Sequence, residues 1–151
     1  MDFGKRVAIT DICLLVEDAE RTVQFYTQKL GFTLRRRAEG FADFVSQGVT
    51  LACWELDHIN RHCGVSNMRS PRGASKACVA VRLDAPGEID AAYAELVAKG
   101  VNVLRPPEDH PWNARCIYFT DPDDNLWELY AWHAEGPKHD FDMAEPAAVS
   151  N

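Results

Sequence analysis

The sequence predicts an α+β fold made of two β-α-β-β-β modules, because one order of elements is legible twice along 151 residues. In the first half LVEDAERTVQFYTQKLGF overlays VRLDAPGEIDAAYAELVAKGV of the second, once the latter is allowed two extra residues around Pro86-Gly87. Each segment joins an apolar strand to a helix that stops at a glycine, Gly31 or Gly100. CIYFTDPDDNLWELYAW, Cys116 to Trp132, then reads as a strand, an acidic turn and a second strand that sets one carboxylate, Glu128, among large apolar residues.

The elements follow in order. Val7 to Val16 is apolar with β-branched content and reads as a strand; Asp18 can cap a helix running to about Leu30. Ala19, Val23, Tyr26 and Leu30 give that helix one buried face. Strands are expected at about 32–39, 41–47 and 49–56, with turns at Glu39-Gly40 and Gln47-Gly48. The second module has a strand from Lys76 to Leu83 and a helix from about Glu88 to Lys99 whose apolar face is Ile89, Tyr93, Leu96 and Val97. Strands near 101–105, 115–120 and 126–132 complete it. The expected organisation is a single domain over 1–151, with module one at 7–57, a polar linker at 58–75, module two at 76–133 and a C-terminal tail at 134–151. The tail is expected either to move freely or to pack on a neighbouring subunit.

Composition narrows the function. Hydrophobic content of 46% and charged content of 26% suit a globular chain. A net charge of −7 disfavours nucleic acid, and no segment has the length and apolarity of a membrane span or a signal peptide. Five cysteines without a C-x-x-C pair suit reduced thiols in the cytoplasm. The one basic run, Arg35 to Arg37, reads as a solvated strand edge because alternate members point to opposite faces.

A lone acid within LWELYAW must face a solvated cleft, a metal ion or a partner charge, since an unpaired buried carboxylate is too costly to keep ionised. The paired modules, with DICLLVEDAERTVQFYTQKLGF in one and YFTDPDDNLWELYAW in the other, resemble the vicinal oxygen chelate superfamily, the glyoxalase, bleomycin resistance protein and extradiol dioxygenase group. The resemblance covers about 7–133. It implies curved mixed sheets around a cleft, with metal ligands on cleft-facing strands in the catalytic members. Asp11, Cys78 and Glu128 stand at three of those positions, and the fourth falls at Leu51, which cannot coordinate. A divalent ion such as zinc, manganese, nickel or iron could be held by Asp11, Cys78 and Glu128; alternatively Cys78 is a small buried residue and the two acids are cleft carboxylates. His58, His62 and Cys63 fall in the linker and read as surface residues. The turn carries Asp124 where the family commonly has glycine, and aspartate tolerates positive φ there.

DHPWNARCIYFTDPDDN also resembles the drug-sequestering members, which implies ligand contact by Trp112 and by Arg115, the latter on a ligand carboxylate or on Glu128. His110 is a candidate base or ligand contact. Tyr130 and Trp132 share the strand parity of Glu128, whereas Trp127 should face the helix. The expectation is therefore a cytoplasmic protein that binds a small organic ligand, with Glu128 as the central residue, assembled as a homodimer because a single copy leaves sheet edges to be covered. The alternative is a divalent-metal-dependent lyase or isomerase of the lactoylglutathione lyase type, with Glu128 as metal ligand or proton shuttle.

Overall fold

The alternating and 3.6-residue patterns resolve into nine strands and three α-helices among the described residues of the computed structural model, which are 9–75 and 77–138. In order these are β1 (Asp11–Val16), α1 (Ala19–Gln24), a π-helical turn (Phe25–Lys29), β2 (Leu34–Ala38), β3 (Phe41–Phe44), β4 (Thr50–Glu55) and α2 (Leu56–Cys63). After them come β5 (Cys78–Arg82), α3 (Pro86–Ala98), β6 (Asn102–Val103), β7 (Glu108–His110), β8 (Ala114–Thr120) and β9 (Leu126–Trp132). They form two compact units. The first takes the described residues up to Ala77 together with Thr120–Asn125; the second takes Cys78–Phe119 and the described residues from Leu126 onward. Each contains one open, mixed sheet.

In the first unit the sheet order is β1-β4-β3-β2. β1 and β4 are parallel, which a short hairpin cannot connect, and α1, β2 and β3 supply the crossover. Asp18 caps α1 by accepting a 3.0 Å hydrogen bond from the Arg21 amide. Two threonines then return their hydroxyls to carbonyls four residues back, Thr22 to Asp18 and Thr27 to Val23, where the helix passes into the π-helical turn. Val16, Tyr26, Ala42, Phe44 and Cys53 are buried in the core of this unit, with Tyr26 and Phe44 edge to face at 5.3 Å.

The acidic turn closes on this same unit. Asp121 is buried and accepts from the Asp123 and Asn125 amides, from Asn125 Nδ2 and, at 2.6 Å, from the Tyr26 hydroxyl. Asp124 sits at φ 62°, the left-handed conformation expected of it.

In the second unit the order is β5-β9-β8-β6, with β7 also paired to β8. Pro86 opens α3 at its first turn, where a missing amide costs nothing. Ile89 and Leu96 are buried, and α3 packs on β9 and β6. Trp127 is buried and stacks on Phe119 at 5.9 Å, on the opposite parity to Glu128 as alternation requires.

Four expectations need correction. The start of the polar linker is helical: Leu56–Cys63 forms α2, with Asp57 in its first turn, Arg61 and His62 in its last, and Gly64 closing it in the left-handed conformation. Val97 is 48% exposed and does not belong to the buried face of α3. Cys78 is exposed on its strand, so it is not a small buried residue. The arginine run is exposed on the edge strand β2 as expected, but its members do not alternate between faces, because a register shift between Leu34 and Arg36 brings both Arg35 and Arg36 onto Asp43, while Arg37 pairs with Glu20. The first residues of the tail pack on their own chain: Asn113 Nδ2 donates to the carbonyls of Ala134 and Gly136, and the Lys138 amide donates to the Trp112 carbonyl. The rest of the tail, and the beginning of the first expected strand at Val7, lie outside the described residues.

Candidate functional site

Strand register decides which side chains meet. Cys78 pairs with Leu126, Ala80 with Glu128 and Arg82 with Tyr130, so these six share one face of the second sheet. Across β8, the Tyr118 hydroxyl donates to Glu128 Oε1 at 2.7 Å, and Cys116, two residues earlier, lies on the same parity. β7 adds Glu108 opposite Cys116 and His110 opposite Ala114. His110 and Trp112 stack at 4.3 Å with their planes 8° apart, and His110 meets Tyr118 edge-on at 6.4 Å. Glu128 is thus held by a phenol, with an imidazole–indole wall beside that phenol.

The electrostatics keep these neighbours neutral. Burial, followed by the hydrogen bond to Glu128 and its charge, pushes the Tyr118 phenol up, so it stays a donor. The buried Cys116 thiol is pushed up to about 11, first by burial and then by the Glu128 charge. Cys78 is raised by the same two causes in the same order. A cavity of about 290 Å³ opens on this sheet, with apolar walls from Leu104, Pro106, Cys116, Tyr118 and Leu126, and with Arg105, Glu108 and His110 as polar lining. That combination of a mainly apolar hollow and a few oriented polar groups can hold a small molecule by stacking and shape and orient it by one or two hydrogen bonds.

Of the residues expected at the site, His110 and Trp112 join the Glu128–Tyr118 cluster. Tyr130 and Trp132 lie along the same face of β9, their rings edge to face at 5.2 Å. Arg115 does not pair with Glu128. Its strand parity is opposite, and its guanidinium is taken by Asp90 on α3, at 2.6 Å, and by Asp109, at 3.2 Å. Asp109 also contacts His133 Nε2 at 2.8 Å. Tyr118 and Cys116 escaped the sequence reading. A signal existed, since Tyr118 and Glu128 are equidistant from Asp123 at the centre of the acidic turn, and antiparallel strands around a turn pair residues in that way.

The residues at the family's metal positions supply a poor donor set. In the second unit Glu128 lies opposite the residue two beyond Cys78; the same relation in the first unit, two beyond Asp11, leads from Cys13 to Ala52. Leu51 instead opposes Ile12 and is only 6% exposed, so the fourth position is Ala52, which also cannot coordinate. Asp11 is exposed and accepts from the Thr10 hydroxyl at 2.7 Å. The Cys78 thiol is held toward its neutral form, and one Glu128 oxygen is engaged by Tyr118. Among the described residues no group of three or more His, Cys, Asp or Glu side chains is gathered to hold a metal. His58 is occupied too, since its Nδ1 accepts from the Trp54 indole at 2.8 Å. These residues do not fit a conventional divalent centre.

The family model for the Glyoxalase/Bleomycin resistance protein/Dioxygenase superfamily matches residues 8–129. The chain belongs to that superfamily. Within the superfamily it is 29% identical over 123 residues to a bleomycin resistance protein of Geobacillus stearothermophilus, covering 78% of this chain and 91% of the relative. A crystal structure of a glyoxalase/bleomycin resistance protein/dioxygenase from Nocardioides is 45% identical, with a TM-score of 0.82 and 91% of each chain covered. Lactoylglutathione lyase from Agrobacterium tumefaciens shares the superfamily fold at a TM-score of 0.67 and 20% identity, covering 82% of this chain and 92% of that one.

Proposed function

We propose that this superfamily member binds a small organic molecule on the Glu128 face of its second sheet, without a conventional metal centre. The observation that carries this reading is the Tyr118–Glu128 hydrogen bond beside an apolar cavity walled by the same tyrosine. A carboxylate oriented by the Tyr118 hydroxyl keeps acceptor capacity for a further donor, so the ligand class that fits is a flat ring bearing an N–H or a cationic nitrogen. Kinship with bleomycin resistance proteins supports sequestration over turnover. The exposed apolar side chains of the edge strand β1, Ile12 and Leu15, support assembly as a homodimer. A cytoplasmic setting is proposed from the unpaired thiols; no helix among the described residues is long and apolar enough to cross a membrane.

The test is titration of the full chain with a panel of flat aromatic bases, read by tryptophan fluorescence and repeated in Glu128→Gln and Trp112→Ala. Saturable quenching that weakens in both variants supports the reading. A metal-dependent lyase or isomerase is favoured by one observation, Glu128 at a family ligand position, and requires near-stoichiometric zinc, manganese, nickel or iron by elemental analysis, lost in Glu128→Ala.

A further inference from the structure

We propose that the open face of the first sheet carries a separate site for a carboxylate or phosphate group, formed by Arg35 and Arg36 oriented on the buried Asp43. Asp43 is 1% exposed in the middle of β3, and its two oxygens receive four guanidinium donors at 2.5–2.9 Å. One arginine would have sufficed. Arg35 alone places Nε on Oδ1 and Nη2 on Oδ2, a complete two-point fork that satisfies the buried charge. Arg36 adds two further donors to the Oδ2 that Arg35 already serves. Arg36 is the register partner of Asp43 on the neighbouring strand, and Arg35 joins it on the same carboxylate only because the strand is bulged between Leu34 and Arg36, at the expense of ladder hydrogen bonds. Neutralising Asp43 therefore does not account for the second guanidinium.

What the arrangement does provide is a pair of cations held side by side against their own repulsion, with one positive charge in excess of the carboxylate between them. Each guanidinium uses its Nε–Nη2 edge on Asp43, which leaves the Nη1 of both on the side away from that carboxylate, and the side chains remain 43% and 68% exposed. Their orientation is fixed before any ligand arrives, so the entropy that long side chains lose on binding is already spent. The register of β1, β4 and β3 puts Cys13, Ala52 and Asp43 in one row of this face and Leu15, Trp54 and Phe41 in the next. Trp54 and Phe41 meet edge to face at 5.9 Å, and Trp54 is anchored by His58. Asp11 acts on Arg35 from the same face and sets a limit on the anion's charge. The occupant that fits is a singly charged oxyanion attached to an apolar or aromatic body. This site lies in the first unit and is independent of the reading of Glu128.

The test is a titration of the full chain with benzoate, acetate and inorganic phosphate at constant ionic strength, following the arginine Nε–Hε signals by NMR. Benzoate is expected to bind more tightly than acetate, with shifts confined to Arg35 and Arg36 and neighbours on their face. Arg36→Gln, which leaves the Arg35 fork on Asp43, should weaken binding at least tenfold while the thermal midpoint changes little. Arg36→Lys, which keeps the charge and loses the fork, should also weaken it. Equal binding by Arg36→Gln and wild type, or shifts reproduced by sodium chloride alone, would overturn the proposal and leave the arginines as counter-ions of Asp43.

Discussion

The Tyr118 hydroxyl donates a 2.7 Å hydrogen bond to Glu128 Oε1, joining the one acid of β9 to the wall of the second unit's cavity. Hydrogen bonds to a charged group contribute about 1.5–3 kcal/mol. Tyr118→Phe should therefore leave the fold intact but free the carboxylate to rotate, weakening ligand binding by about tenfold or more. Parallel thermal melts and fluorescence titrations check it, and unchanged affinity would place the hydroxyl outside the site.

Asp43 governs the acid side of stability. Hydrogen bonds from Arg35, then from Arg36, hold its carboxyl well below the usual range against the opposing effect of burial. A carboxyl depressed in the folded state contributes stability that is fully present above about pH 4 and is lost as pH falls through its folded value. Asp43→Asn should flatten the acid limb of a stability-versus-pH curve measured by urea unfolding. It should also destabilise the protein at pH 7 by about 1–3 kcal/mol, the cost of losing charge-assisted hydrogen bonds at a buried carboxylate.

The alkaline limb has the opposite sign. Burial pushes the Cys116 thiol up to about 11 and the Cys53 thiol up to about 12, from an ordinary 9.0. Groups raised in the folded state contribute stability below their unfolded value and lose it as pH rises through the folded one. Thermal midpoints should fall between about pH 9 and 12. Alkylation at pH 8 followed by peptide mapping should label exposed Cys63 well before Cys53 and Cys116.

Asp121 anchors the acidic turn through four accepted hydrogen bonds, one of them from Tyr26. Asp121→Ala should cost about 3 kcal/mol or more, because it strands a buried phenol and two amides together. Tyr26→Phe should cost about 1 kcal/mol, and denaturant midpoints distinguish the two.

The paired modules were legible because patterning is local: Ala19, Val23 and Tyr26 on one helix, and Leu14 and Val16 on one strand, are buried as their spacing requires. The acidic turn was legible for the same reason. The site was legible only in part. Glu128, His110 and Trp112 stand out as residue types, but their neighbours depend on register across strands, which is how Tyr118 was missed and Leu51 was placed one residue from Ala52. The solvated edge at Arg35 and Arg36 was legible, but their shared contact with Asp43 was not, because a bulge breaks the alternation of the strand. Arg115 was drawn to α3 by Asp90, a partner twenty-five residues away that no local pattern announces.

The most direct measurement is a tryptophan-fluorescence titration of wild type and Glu128→Gln with the same panel of flat aromatic bases. Saturable quenching of the wild type, with affinity at least tenfold weaker in Glu128→Gln at an unchanged thermal midpoint, is the predicted result. No saturable ligand in the panel, or identical affinity in the two proteins, would contradict a small-molecule site centred on Glu128.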